Sequence, residues 1–121
     1  MLTVVYGATT AAAPTPTTAP PSTLATLRVL HWNTHHGGVG SDGVWNPERL
    51  VKWITKVNPD VVSLNEMERN TGWSKNTDEP VTIAALMKQY TGTTWYWKFQ
   101  RLSGSSNGIG CMILWRFPFI A

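Results

Sequence analysis

The chain has 121 residues, with ten Lys or Arg against seven Asp or Glu, which gives a formal net charge of +3. This length fits one domain of ordinary size, and 42% hydrophobic residues can supply its core, so a disordered, highly charged chain is excluded. No apolar run approaches the roughly 20 residues of a membrane-spanning helix, so an integral membrane protein is excluded too. A single cysteine excludes a disulfide scaffold and a cysteine-based zinc finger.

The N-terminal region differs in composition from the rest of the chain. Residues 1–27 carry no charge, and residues 8–25 are almost entirely Ala, Thr, Pro and Ser, with prolines at positions 14, 16, 20 and 21. Proline lacks a backbone donor and small polar side chains offer no core, so this composition is typical of an extended linker. The apolar start followed by alanines also resembles the end of a signal peptide, without its positively charged beginning. We predict a linker or signal-peptide remnant over residues 1–26, a folded part over residues 27–121, and a secreted or periplasmic protein.

The folded part alternates between strand and helix patterns. Strands are predicted over residues 27–33, 60–66, 94–99 and 109–116. The first helix is predicted to start at Asn46-Pro47, to end at Asn58-Pro59, and to bury a stripe formed by Leu50, Trp53, Ile54 and Val57. The second, over residues 80–91, is predicted to end at Gly92 and to bury Ile83, Leu86, Met87 and Tyr90. The pattern indicates an α/β or α+β fold, with His31 of the first strand as a core histidine.

Two polar residues stand at the ends of the first two predicted strands. A strand–helix–strand unit places its strands parallel in one sheet, so Asn33 and Glu66 are expected to converge at one edge. Hard oxygen ligands of this kind suit Mg²⁺ or Mn²⁺. The pattern alone favours the other interpretation, in which Glu66 is a solvated strand-end residue and Asn33 only begins a turn.

Several short motifs together resemble a known family. The segments L-R-V-L-H-W-N-T-H-H-G-G and N-P-D-V-V-S-L-N-E are similar to the opening of the endonuclease/exonuclease/phosphatase superfamily, whose members are metal-dependent phosphodiesterases and phosphomonoesterases. The matching positions are Asn33, His35-His36-Gly37, Asp60-Val61-Val62, Leu64, Glu66, Arg116 and Pro118. The resemblance implies an α+β fold, part of a four-layered αββα sandwich, of which residues 27–121 would form an incomplete N-terminal portion.

The resemblance also implies roles for three residues. Glu66 would be the metal-binding carboxylate, Asn33 would hold the metal or a phosphate oxygen, and Mg²⁺ or Mn²⁺ would be the cofactor. His35 lies where some nucleases of the superfamily carry an aspartate near the metal, and it is a further metal candidate. Its alternative is a loop histidine bonded to backbone. His36 is assigned no role.

The sequence also departs from the family pattern. The later G-D-x-N and S-D-H motifs, which supply the general base and phosphate-binding groups, are absent. We therefore expect a truncated phosphoester hydrolase that is inactive as this chain alone, so its standing as an enzyme is open. Glu68 replaces the groove-reading arginine of pancreatic-type deoxyribonucleases, so duplex DNA is not favoured as the substrate. Asn65, Cys111 and Trp115 replace the usual Gln, Asn and Ser.

Two further expectations concern aromatic residues. Strand faces bearing Trp95, Trp97, Phe99 and Ile113 are expected to be exposed, so the chain should be poorly soluble or self-associate. The seven tryptophans also allow a non-catalytic carbohydrate-binding module behind a Pro/Thr linker. Two amphipathic helices count against that alternative, because such modules are usually all-β.

Overall fold

The computed structural model describes residues 2–6, 25–102 and 107–118. Within these ranges the elements in chain order are β1 (Leu2–Tyr6), β2 (Ala25–Asn33), α1 (His35–Gly38), α2 (Pro47–Val57), β3 (Val61–Arg69), α3 (Glu79–Thr91), β4 (Tyr96–Arg101) and β5 (Gly108–Trp115). The five strands form one sheet in the order β1-β2-β3-β5-β4. No helix of this described part is long and apolar enough to cross a membrane.

The N-terminal strand is an addition to the elements expected from sequence. β1 pairs antiparallel with β2 at one edge of the sheet, from Leu2 opposite Val29 to Tyr6 opposite Ala25. Residues 7–24 lie outside the described residues. The assignment of residues 1–26 as a linker or signal-peptide remnant therefore stays a prediction.

The predicted crossover is present. β2 and β3 are parallel neighbours joined through α2, with Val29 opposite Val61 and Asn33 opposite Asn65. β5 pairs antiparallel with both β3 and β4, so the sheet is mixed. Mixed pairing with helices packed on the sheet is the expected α+β class.

Local capping sets the ends of α2 as the sequence predicted. The Asn46 side chain accepts a hydrogen bond from the backbone N–H of Arg49 at 3.0 Å, and Pro47 occupies the first turn. At the other end Asn58 adopts a left-handed conformation, and its N–H caps the carbonyls of Ile54 and Thr55. α3 ends in the same way at Gly92, which has φ +71°.

The buried face of each helix differs from the predicted stripe. In α2 the buried residues are Leu50, Val51 and Ile54, whereas Trp53 is 54% exposed, so its assignment to the core was wrong. In α3 Ile83 and Met87 are buried, Leu86 is half-buried, and Tyr90 is 38% exposed. Tyr90 instead donates a hydrogen bond to Glu48 Oε1 at 2.6 Å. Helix–helix packing, which periodicity does not reveal, decides which part of each apolar stripe is covered.

The core lies between the helices and one face of the sheet. It combines α2 and α3 residues with Val62 and Leu64 of β3 and Met112 and Leu114 of β5. Trp95 is buried in this core, and Trp97 and Phe99 pack against it. The expectation that these three rings would be exposed was therefore wrong, because they lie on the covered side of the sheet.

The other face of the sheet is less covered within the described residues. Ile113, which alternates with the buried Met112 and Leu114, is 43% exposed, as expected. His31 is also exposed and its Nδ1 lies 3.2 Å from the Ser63 hydroxyl. The prediction of a core histidine was wrong, because strand alternation places His31 away from the helices.

Candidate functional site

Asn33 and Glu66 meet at the end of the parallel strand pair. The Asn33 amide donates a hydrogen bond from Nδ2 to Glu66 Oε1 at 2.9 Å. Asn33 Oδ1 accepts the backbone N–H of His35 at 3.1 Å, so both ends of the amide are engaged. The juxtaposition predicted from topology is therefore present, whereas a role of either residue in metal binding stays a prediction.

A bulge in β3 aims the Glu66 side chain. Leu64 pairs with Met112 and Met67 with Gly110, so one extra residue is inserted in β3 between these pairs. Glu66 lies at this irregularity and has φ +58°, a conformation that is uncommon for residues other than glycine. β3 continues to Arg69, beyond the predicted end at residue 66. Such bulges commonly redirect side chains beside functional sites.

The loop after β2 is fixed against the middle of β3. Thr34 is buried; its hydroxyl donates to the carbonyl of Asn65 at 2.7 Å and accepts the N–H of Gly37 at 3.2 Å. His35 and His36 follow with φ values of +49° and +52°. Two consecutive left-handed residues with side chains are strained, and such strain is concentrated at binding and catalytic sites.

His35 and His36 point to different partners. His35 is exposed, and its Nδ1 lies 3.0 Å from the carbonyl oxygen of Val39. This is the bond to backbone that the alternative interpretation of His35 as a loop histidine predicts. A histidine whose Nδ1–H is held by a carbonyl leaves Nε2 as its available ligand atom. The metal role of His35 stays a prediction.

His36 belongs to a cluster that sequence reasoning missed. Its Nδ1 lies 2.6 Å from Oε1 of Glu68, which is only 2% exposed, and its ring stacks on Trp73. The only sequence signal was Glu68 itself, an acidic residue two positions after Glu66. Burial of Glu68 depends on contacts between distant parts of the chain, so the sequence gives no direct sign of it.

A second buried carboxyl lies next to Glu68. Glu79, the first residue of α3, is fully buried, and its Oε2 accepts the backbone N–H of Glu68 at 2.5 Å. Burial raises the pKa of Glu79 from 4.5 to about 8, although the N–H of Glu68 and the indole of Trp45 partly oppose this shift. Glu79 is therefore mostly protonated at neutral pH and adds little charge to the site.

The carboxylate at this edge suits a hard divalent cation. Glu66 supplies this carboxylate, which the amide group of Asn33 orients, and Mg²⁺ is typically bound by one or two carboxylates with water and substrate phosphate. Across the described ranges, no group of three or more His, Cys, Asp or Glu side chains is arranged to hold a metal. A cation at Glu66 would therefore depend on water, substrate or further protein ligands to complete its coordination.

Comparison with known proteins agrees with the strand-end motifs. The model of the endonuclease/exonuclease/phosphatase family matches residues 30–121. The chain belongs to this family. Members of the endonuclease/exonuclease/phosphatase family are phosphoester hydrolases that generally depend on a divalent metal.

Two solved structures share the fold of this family member. An endonuclease/exonuclease/phosphatase from Beutenbergia cavernae has 24% sequence identity and a TM-score of 0.57, and the match covers 78% of this chain and 27% of that one. A family protein from Leptotrichia buccalis has 16% identity and a TM-score of 0.54, with coverage of 78% and 40%. The chain thus spans less than half the length of either structure. A search of curated proteins found no match.

Proposed function

We propose that this chain supplies the metal-binding edge of a Mg²⁺-dependent phosphoester hydrolase. In this proposal Glu66 is the carboxylate ligand, and Asn33 orients it or holds a phosphate oxygen. His35 is a further ligand through Nε2. A divalent cation held there would polarise the phosphoryl group and stabilise charge on the leaving oxygen.

The hydrogen bond between Asn33 and Glu66 carries the proposal. It lies where the parallel pairing of β2 with β3 ends, and ligands bind beyond the carboxyl ends of parallel strands in sheets of this kind. The bulge and the left-handed backbone of Glu66 hold its carboxylate in this position, so the metal ligand would be pre-oriented before binding. Family membership favours the same chemistry.

We further propose that the chain alone binds the metal and a phosphoester without hydrolysing it. The later motifs that would supply a general base are absent from the sequence, and a water molecule needs a base to become the nucleophile. Duplex DNA remains disfavoured as the substrate, because the position of a groove-reading arginine is taken by the buried Glu68. Nothing in the comparisons favours the carbohydrate-binding alternative.

Titration calorimetry with MgCl₂ or MnCl₂ tests the metal assignment. We expect Glu66→Gln to weaken binding at least about tenfold, and Asn33→Ala to weaken it by a smaller factor. Glu48→Gln is the control, because Glu48 is an exposed carboxylate on α2 that pairs with Tyr90 of α3. In a parallel NMR titration, Mn²⁺ should broaden the amide signals of residues 33–36 and 66–68 first. Equal affinity of wild type and Glu66→Gln would exclude Glu66 as the ligand.

A further inference from the structure

Trp73 is a large, exposed ring held in a fixed orientation. It lies in the loop between β3 and α3 and is 55% exposed. One face of its indole stacks on the imidazole of His36, with the ring centroids 4.1 Å apart and the planes inclined by 7°. An exposed tryptophan without such support would lose more side-chain freedom when it bound a ligand.

The stacking partner is itself held by a buried group. His36 Nδ1 lies 2.6 Å from Glu68 Oε1, and the Glu68 side chain is 3% exposed. A carboxylate in this position fixes the tautomer and the ring plane of a histidine. The buried Glu68 therefore orients His36, and His36 orients Trp73.

The loop that carries Trp73 is also braced. The hydroxyl of the buried Ser74 donates to the carbonyl of Thr77 at 2.8 Å, and Arg69 pairs with Asp78 at 2.8 Å across the base of the loop. The backbone on either side of Trp73 is thus tied to itself and to the end of β3. These contacts give Trp73 a defined position relative to the sheet edge.

We propose that Trp73 is a stacking platform for a planar ring of the ligand, in the simplest case a nucleobase. This proposal rests on the proposed function, which places the phosphate group of the ligand at Asn33 and Glu66. The ring of His36 lies close to the proposed phosphate site, because its centroid is 5.4 Å from that of His35, whose backbone N–H donates to Asn33 Oδ1 at 3.1 Å. A phosphate at Asn33 and Glu66 and a ring on Trp73 can therefore belong to one nucleotide-sized molecule. The Trp73–His36 stack already has the parallel geometry that a third flat ring extends.

A second exposed tryptophan provides the matched control. Trp53 on α2 is 54% exposed, nearly the same fraction as Trp73. The ammonium group of Lys56 lies 4.4 Å from the centroid of the Trp53 ring, and this pair is on a helix surface. If removal of any exposed indole weakened ligand binding, variants at both positions would show it. If Trp73 is the ligand platform, only the Trp73 variant should bind more weakly.

NMR titration of the full chain with adenosine, AMP and ribose 5-phosphate tests the platform in the presence of Mg²⁺. Indole N–H signals report on each tryptophan, and the Trp73→Phe variant identifies the Trp73 signal. Adenosine and AMP should shift that signal, and ribose 5-phosphate should not. Trp73→Ala should weaken AMP binding at least about fivefold and leave ribose 5-phosphate binding unchanged. Trp73→Phe should retain part of the AMP affinity, and Trp53→Ala should change neither.

The outcomes separate the platform from the metal site. The platform is refuted if adenosine and AMP leave the Trp73 signal unmoved, or if Trp73→Ala weakens AMP and ribose 5-phosphate equally. The proposed metal site is refuted independently if the affinity for ribose 5-phosphate changes neither with Mg²⁺ nor with Glu66→Gln. Adenosine carries no phosphate, so its effect on Trp73 tests the platform even in that case.

Discussion

The carboxyl group of Glu79 occupies the space in which a side chain at position 37 would begin. Gly37 is buried with φ +67°, and an added Cβ would overlap both oxygens of Glu79. This contact joins the loop after β2 to the start of α3. The glycine after the two histidines is therefore required by backbone conformation and by space together.

Gly37→Ala should lower the free energy of unfolding by about 3 kcal/mol, because it combines left-handed strain with overpacking against Glu79. Urea denaturation measures this change. Gly43→Ala is the control, since Gly43 has φ +70° but no atom lies within 4 Å of an added Cβ. That variant should lose only about 1 kcal/mol for the backbone strain. Equal losses at the two positions would contradict the contact between Gly37 and Glu79.

Glu79 should make stability fall as the pH rises. Burial raises its pKa from 4.5 to about 8, so between these values the folded state holds a proton that the unfolded state has released. The stabilisation is complete below pH 4.5 and is lost as the pH rises through about 8, by up to about 1.4 kcal/mol per pH unit.

Urea denaturation of wild type and Glu79→Gln between pH 4 and 8.5, a range that includes both pKa values, checks this effect. The free energy of unfolding of wild type minus that of Glu79→Gln should decline as the pH rises. The neighbouring Glu68 and His36 are present in both proteins, so their contributions to stability largely cancel in the difference. Parallel pH profiles would show that Glu79 has an ordinary pKa in the folded chain.

Asp60 should contribute more to stability than a surface aspartate. It is 6% exposed, accepts the backbone N–H of Arg28 at 2.7 Å and pairs with Arg116. Asp60→Ala should lower the free energy of unfolding by about 2 kcal/mol, because the backbone N–H of Arg28 and the guanidinium of Arg116 both lose their partner. Asp42→Ala breaks an exposed pair with Arg49 and should have no measurable effect. A similar small effect at both positions would rule out the structural role of Asp60.

The less covered sheet face should promote self-association. Ile113 is 43% exposed there, and we expect light scattering to detect dimers or larger species at high protein concentration. Ile113→Lys should shift the distribution toward monomer. Val81→Lys changes a 50% exposed residue on α3 and should not. A monodisperse wild-type monomer would contradict this expectation.

Local signals made much of the fold predictable. Asn46-Pro47 and Asn58-Pro59 delimit α2 because capping and proline sterics act within a few residues. The same short-range physics predicts the end of α3 at Gly92. The juxtaposition of Asn33 and Glu66 also follows from sequence, because a strand–helix–strand unit brings both strand ends to one edge.

Burial was predicted less well than secondary structure. Trp53 fits the helical stripe yet is exposed, and His31 fits a strand yet faces away from the helices. The opposite error concerns Trp97, which was expected to be exposed but packs against the core. Each outcome depends on which element covers a face, and that element is distant in sequence.

The sequence by itself determined the order of strands and helices from β2 onward except for the short α1, the caps of α2, the end of α3, the family, and the pairing of Asn33 with Glu66. Only the tertiary structure decided that β3 bulges at Glu66 and continues far enough to bury Glu68 beside His36. It also placed Glu79 against Gly37 and raised the pKa of its carboxyl group. Periodicity and capping depend on residues that are close together in sequence, whereas burial of a charge arises only when segments distant in sequence exclude water together.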